Sequence, residues 1–459
     1  MKKTLLIILG LILISLSVAL MLYPVKQLDW YHETLDSEHA ERFVTVTVSN
    51  RSPFVSWFDE KDRGGVLYSM AKSTGIPFLN DLKTYFSDSK MEWNQGNIDE
   101  ALYAGMFVSS VAGKNGRIHV AYQDSSMGKE RLVYALYDGK IWKKETVDDA
   151  ITSGINVGAY ASISLVNNQP VIFYHTEQGQ KFGYAKRVAL GGPTSNEVGP
   201  RWEKKTLETG KGWTITSDSC KGKTYVSYRG RGNQALYFGL LDNLSWNERS
   251  LEASTSMWPA LTTTSDCHPL LGYFDPKTSK IVIKDIDGNR DYDVADGSFS
   301  TISLSGKGNT LNAVYHVEGK GLFVAKSPDQ GKTWESKLLA PGKYAGRYNA
   351  IATDPSGNIY IAYIDGHELK YAQYNTSAME TVKKLKTTSA LVLFLLGLIL
   401  IILNSKLKIK KAKVKLPARN ATHSVAGGPA RQSFANQPAL TTSKRCLAGA
   451  SAGGKSKKN

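Results

Sequence analysis

Short runs of alternating apolar and polar residues, cut by Gly, Asn and Asp, fill the chain from Arg42 to Tyr374. Alternation with β-branched and aromatic residues predicts half-buried strands, not helices. Seven of these runs end in a large aromatic: Trp57, Tyr122, Tyr174, Tyr228, Tyr273, Tyr315 and Tyr363, in FVSW, HVAY, VIFY, YVSY, LLGY, NAVY and YIAY. They recur at intervals of 42 to 65 residues, and a Trp-led strand follows most of them. One unit reads in full between Val157 and Glu208, as YASISLV (160–166), PVIFYH (170–175), FGYAKR (182–187) and WEKKTLE (202–208). Four antiparallel strands in a unit repeated seven times predict an all-β chain folded as a seven-bladed β-propeller.

The seventh unit has no fourth strand after Tyr374. A matching piece stands at the other end of the chain, where WYHETLD (30–36) aligns position by position with WKKETVD (142–148). This N-terminal strand is expected to pair onto blade seven and close the ring, removing an exposed sheet edge. One propeller domain, 29–375, follows. Its first strands are expected to begin with an aromatic at Tyr103, Tyr160, Trp213, Trp258, Phe299 and Tyr348.

Two segments break the alternation. Residues 4–25 carry no charge and follow Lys2-Lys3, and residues 390–403 form a second apolar run, lengthened by Thr387, Thr388 and Ser389. A spanning helix needs about 20 such residues, with roughly 17 a lower limit. The first segment (1–25) reads as a signal anchor or as a signal peptide with a small-x-small site at Ser17-Val18-Ala19. The second (387–404) reads as a transmembrane helix in contact with lipid. Lysines from Lys406 to Lys415 outweigh Lys383, Lys384 and Lys386 on the other flank. The tail 405–459 is therefore expected in the cytoplasm and the propeller outside it, at the cell membrane. Ala, Gly, Ser and Lys dominate that tail, a composition that cannot bury enough apolar surface to fold alone.

This placement changes the meaning of the charge. The formal net charge is +16, yet 13 Lys and Arg lie in 404–459 and two in 1–25, with no acid in either segment. The remaining residues balance to +1. A nearly neutral propeller argues against nucleic acid as a partner.

Residues 327–334 read SPDQGKTW. The octapeptide resembles the Asp-box, the bacterial neuraminidase repeat of sialidase-like propellers, at Ser327, Asp329, Gly331, Thr333 and Trp334. YDGKIW (137–142) resembles a degraded copy, with Asp138, Gly139 and Trp142. The resemblance implies a structural turn between third and fourth strands. It further implies a sialidase-like glycoside hydrolase as one possible activity. No spacing picks an arginine triad out of Arg131, Arg229, Arg231 and Arg347, so the resemblance carries fold rather than catalysis.

Cys220 and Cys267 fall late in the first strands of neighbouring units, and outside the cytoplasm they are expected either to bridge or to stay as two buried thiols. Asp287, Asn289, Asp291 and Asp293 set oxygen ligands at alternate positions, as a calcium loop does. Tyr292 occupies the position where such a loop needs Gly, and Asp287-Gly288 reads more simply as a hairpin turn. No zinc spacing, phosphate loop or G-x-S-x-G elbow occurs, and no cofactor is expected. The chemistry left to place is in the loops after each second strand and before each first strand, which converge on one face. They carry Asp59, Asp124, His175, Arg229, Arg231, Asp275, His316, Arg347 and Asp365 as candidate ligand-binding residues. Aromatics beside charges that differ from blade to blade suit a protein or glycan ligand. The expected function is a membrane-anchored, non-enzymatic binding module. A sialidase-like hydrolase, a polysaccharide lyase and an envelope scaffold remain as alternatives.

Overall fold

The computed structural model describes residues 2–413 except 60–63, 73–76, 87–89, 127, 129, 151–156, 177–180, 189–200, 210–211, 231–234, 244, 256–257 and 298–300. Among the described residues, twenty-eight strands form seven four-stranded antiparallel sheets. From the axis outward, blade one is Ala40–Ser49, Ser52–Asp59, Val66–Ala71 and Trp93–Asp99, and blade two is Ala104–Ala112, Ile118–Asp124, Arg131–Tyr137 and Trp142–Asp149. Blade three is Ser162–Val166, Gln169–His175, Lys181–Val188 and Arg201–Thr209, and blade four is Trp213–Cys220, Lys223–Arg229, Ala235–Asp242 and Ser245–Ser254. Blade five is Ala260–Thr263, Pro269–Asp275, Lys280–Asp285 and Arg290–Asp296, and blade six is Ile302–Lys307, Thr310–Val317, Gly321–Ser327 and Glu335–Pro341. Blade seven is Asn349–Thr353, Ile359–Asp365 and Glu368–Tyr374, with Tyr31–Asp36 as its outermost strand. The inner strands touch in cyclic order, the first also against the seventh. The fold is a seven-bladed β-propeller.

The repeated aromatics explain why the blades stack. All seven, from Trp57 to Tyr363, sit on second strands and are buried between sheets. Trp93, Trp142, Trp202 and Trp246, which open or stand at the start of outer strands, fasten their sheets to the one before. Trp202 packs edge-on against Tyr134 of blade two, ring centroids 5.1 Å apart, and its indole N–H donates to Glu145, 3.0 Å away. Trp93 repeats both contacts on blade seven, with Tyr371 at 5.0 Å and Glu33 at 2.9 Å. Glu33 and Glu145 are the same position of the WYHETLD/WKKETVD alignment. Tyr31–Asp36 therefore does in blade seven what Trp142–Asp149 does in blade two, and its register sets Tyr31 opposite Gln373 and Glu33 opposite Tyr371.

Cys220 and Cys267 are joined in a disulfide, Cα to Cα 5.4 Å, linking blades four and five. The 327–334 turn is built from local bonds. Ser327 Oγ accepts from the Gly331 N–H at 2.7 Å, Asp329 accepts from Thr333 N–H and Oγ1–H at 2.9 and 2.8 Å, and Trp334 Nε1–H donates to the Gly331 carbonyl at 2.8 Å. These donors, Thr333 first, hold the Asp329 carboxyl down at about 2. In blade two Asp138 makes a simpler turn, accepting from Lys140 and Ile141 N–H.

Among the described residues the α-helices are α1 (Lys2–Leu22), α2 (Pro77–Phe86) and α3 (Thr376–Lys413). α3 starts two residues after the last strand, well before the apolar run that reveals it in the sequence. α2 is an insertion between the third and outer strands of blade one that the strand pattern does not announce. Asp81 on α2 is the hub of its attachment. Arg51, in the first turn of blade one, reaches both Asp81 oxygens at 3.1 Å and Ser356 Oγ at 2.8 Å. Ser377 and Thr381 on α3 donate to the same carboxylate at 2.8 and 2.9 Å. Strand polarity puts all of this on one face. α1 and α3 leave the propeller there, opposite the ends of the second strands.

Candidate functional site

On the face away from the helices, five aromatic rings close a collar around the axis. Consecutive centroid distances are 4.5 Å from Phe43 to Phe107, 4.4 Å from Phe107 to Tyr160, 6.4 Å to Trp258, 6.3 Å to Tyr348 and 6.1 Å back to Phe43. Tilted pairs at such distances are favourable for aromatic quadrupoles. Three collar members take a left-handed backbone: Phe43 at φ +54°, Phe107 at +56° and Tyr160 at +56°. Phe43 and Phe107 fall in bulges where the first-strand register skips. A bulky residue there costs on the order of 1–3 kcal/mol, which the surrounding packing must offset. Behind the collar runs a channel of about 280 Å3, lined by inner-strand residues that include Thr45, Ser109, Ser162, Thr216 and Ser303. Hydroxyls join neighbouring blades along it, as in Thr45 with Ser110 at 3.0 Å and Ser162 with Ser217 at 2.9 Å.

Beside the collar, between blades six and seven, lies a polar pocket of about 230 Å3 lined by His316, Glu318, Lys343, Tyr344 and Arg347. The crossover loop carrying three of these residues is pinned from several sides. Gly346 N–H donates to Ile364 at 2.8 Å, His316 Nδ1–H to the Ala345 carbonyl at 2.8 Å, and Thr301 Oγ1–H to the Arg347 carbonyl at 2.6 Å. Gly346 has φ +80°, and a Cβ there would meet Leu322 at 2.2 Å, so only glycine fits. Burial lowers the His316 pKa, favouring a neutral ring. Lys343 and Arg347 are exposed, and among the described residues neither has an acidic partner. The Lys343 ammonium stands 5.3 Å from the Tyr344 ring centre.

Of the residues nominated from sequence, His316 and Arg347 meet in this pocket. Others serve local structure. Asp124 is buried and paired with Arg131, and His175 is buried with Nε2 against the Gly212 carbonyl. Asp275 accepts from Lys277 N–H and Thr278 Oγ1–H at 2.9 Å each. Arg229 lies over the Trp213 ring, 5.6 Å from its centre. Asp59 is fully buried, and Asp365 borders Gly342, its carboxyl raised by burial. Arg231 and Phe299 fall outside the described residues. Tyr103 is not a collar member: it sits in the loop before the first strand of blade two, 55% exposed, and Phe107 takes its place because the bulge swings the later residue inward.

Among the 285–293 acids, Asp285 and Asp287 share His268, at 2.6 Å from Nε2 and 3.3 Å from Nδ1, and Asp291 lies 3.0 Å from Lys284 Nζ. The described residues contain no group of three or more His, Cys, Asp or Glu placed to hold a metal ion. Glu318, Lys343 and Tyr344 escaped sequence reasoning because they belong to turns outside the repeat. The clue within reach was the one crossover with Lys and Arg flanking an aromatic.

No protein-family model matches this chain, and no curated protein matches it. Solved structures similar to it include a fucose-specific lectin from Aleuria aurantia, 16% identical over 67% of this chain and 98% of that one, TM-score 0.43. Polysaccharide lyase Uly1 is 12% identical over 77% of this chain and 94% of that one, TM-score 0.44. Trypanosoma rangeli sialidase is 8% identical over 78% of this chain and 61% of that one, TM-score 0.41. The likeness is one of general fold.

Proposed function

We propose that this protein is a membrane-held propeller that binds a glycan on the face carrying the aromatic collar, at the pocket between blades six and seven. The pocket carries the reading. Its loop is fixed before any ligand arrives, which lowers the ordering cost of binding. Lys343, Arg347 and Tyr344 offer two cations and an aromatic face, and Tyr348 of the collar adjoins them. That set suits a saccharide bearing a carboxylate or sulfate. Most glycoside hydrolases work with two facing carboxylates, whereas sialidases use a Tyr nucleophile. Among the described residues the channel lining includes no Asp or Glu and the pocket only Glu318, so neither presents the carboxylate pair of the two-carboxylate mechanism.

Membrane attachment rests on α1 and α3, both long and apolar enough to cross. The basic flank after 404 favours a propeller outside the cytoplasm, its collar turned away from the bilayer and its tail inside. The test is a glycan array probed with the full chain in detergent, neutral and acidic saccharides side by side. Acidic saccharides should bind, and Arg347→Ala combined with Lys343→Ala should weaken them at least tenfold. Retention by no glycan, or binding indifferent to both substitutions, would reject the site.

A further inference from the structure

α1 and α3 lie against each other along stripes of small residues spaced by seven. Gly10 faces Gly397 so closely that a Cβ on Gly10 would sit 2.9 Å from the Gly397 carbonyl oxygen, and one on Gly397 2.7 Å from that of Gly10. One heptad away, the buried Ser17 hydroxyl donates to the Ala390 carbonyl at 2.8 Å. Ala390 is fully covered, and Asn404, a further heptad beyond Gly397, is 2% exposed. Ser17 on Ala390 and Gly10 on Gly397 are the register of two antiparallel helices. Lipid offers no hydrophobic force to pair them. Close backbone approach at small residues and buried interhelical hydrogen bonds do that work.

The same contact covers Ser17-Val18-Ala19, the tripeptide that reads as a leader-processing site. Ser17 lies beneath α3, and the Ala19 carbonyl accepts from the Tyr23 N–H at 3.0 Å, so the peptide bond after Ala19 sits inside a hydrogen-bonded helical turn. At the outer end, Leu28 N–H lies 3.5 Å from Met379 Sδ, and Lys386 Nζ donates to the Tyr23 carbonyl. A protease must open such a turn before it can cut. A discarded leader has no need of a register with a helix at the far end of the chain.

We infer that α1 is retained, and that α1 and α3 form a permanent antiparallel two-helix anchor keyed by Gly10–Gly397 and Ser17–Ala390. This rests on the membrane reading above. The test uses the full chain tagged at both ends and expressed in a bacterial membrane. Three readouts are taken: extraction by alkaline carbonate, intact mass, and oxidative linkage of Ser17→Cys with Ala390→Cys. Val18→Cys with Ala390→Cys is the control, since Val18 is on the exposed side of α1. The chain should resist carbonate and keep both tags at full mass. The 17–390 pair should link at least tenfold more than the control. A carbonate-resistant chain that begins after Ala19, or a 17–390 pair no better than the control, overturns the inference and spares the membrane reading. A chain released by carbonate overturns both.

Discussion

His119 lies on the second strand of blade two, 4% exposed, with Nδ1 hydrogen-bonded to the Tyr134 hydroxyl at 2.7 Å. Burial first, then Arg117 and Arg187, push its pKa down to about 4. In the unfolded chain it protonates near 6.5. The folded state therefore binds fewer protons between those values. Its contribution to stability is complete above pH 6.5 and is lost as pH falls towards 4, about 3 kcal/mol in all. His316 is displaced in the same direction by its own burial. Urea unfolding at pH 7 and pH 4.5 should show His119→Asn losing less stability across that interval than the wild type. Equal losses would mean the imidazole is not what titrates. Single residues also mark where the sequence stops being informative. The buried aromatics from Trp57 to Tyr363 stand out by their period because each obeys strand alternation. Phe43 and Phe107 do not stand out, because a left-handed Phe leaves no trace in the pattern that a Gly or Asn would. Spacing alone favours Tyr103, which faces solvent.

Blades are legible as elements because an alternating four-strand unit with a Trp-led outer strand has few other ways to bury its faces. The same logic misses α2, ten residues inside an insertion with no repeat to set it against. Asp81 ties it to blade one and to α3. Asp81→Ala removes the acceptor for Arg51, Ser377 and Thr381 together and leaves the Arg51 guanidinium beside Ser356 with no carboxylate. Losing the carboxylate that Arg51, itself 32% exposed, and two hydroxyls bond to costs about 2 kcal/mol. Thermal unfolding of the detergent-solubilised chain should register that loss. Hydrogen exchange should rise around Thr381, and Asp81→Asn should restore part of it by keeping an acceptor oxygen. Unchanged exchange in Asp81→Ala would show that α3 is held by something else. The disulfide acts on neighbouring elements in another way, through the unfolded chain. With Cys220 and Cys267 separated by 47 positions, loop closure contributes about 4 kcal/mol. Paired Cys→Ser substitutions should lower the denaturant midpoint accordingly, with blades four and five opening first in exchange experiments.

At the scale of the whole molecule, the ring is drawn shut by a strand that begins only nine residues after α1, paired with one that ends two residues before α3. The two ends of the propeller thus meet on the face that both helices leave, so a pull on either helix bears on the same sheet. An open seam at Tyr31–Asp36 would expose the Glu368–Tyr374 edge and release Trp93 from Glu33 and Tyr371. Blade seven is built from two distant segments of the chain, so this edge can open without breaking a blade made of one continuous segment. Lys370 Nζ already donates to Thr34 Oγ1 at 2.9 Å, and the two residues face each other in the register. Thr34→Cys with Lys370→Cys should therefore oxidise readily and lock the seam. Constraining so long a loop adds about 5 kcal/mol. If the seam is where unfolding begins, the linked chain should also unfold more slowly by at least tenfold, while either single cysteine leaves the rate unchanged. A higher midpoint with an unaltered unfolding rate would put the first opening elsewhere in the ring. Failure of the pair to oxidise would mean that Tyr31–Asp36 does not occupy the outer position of blade seven.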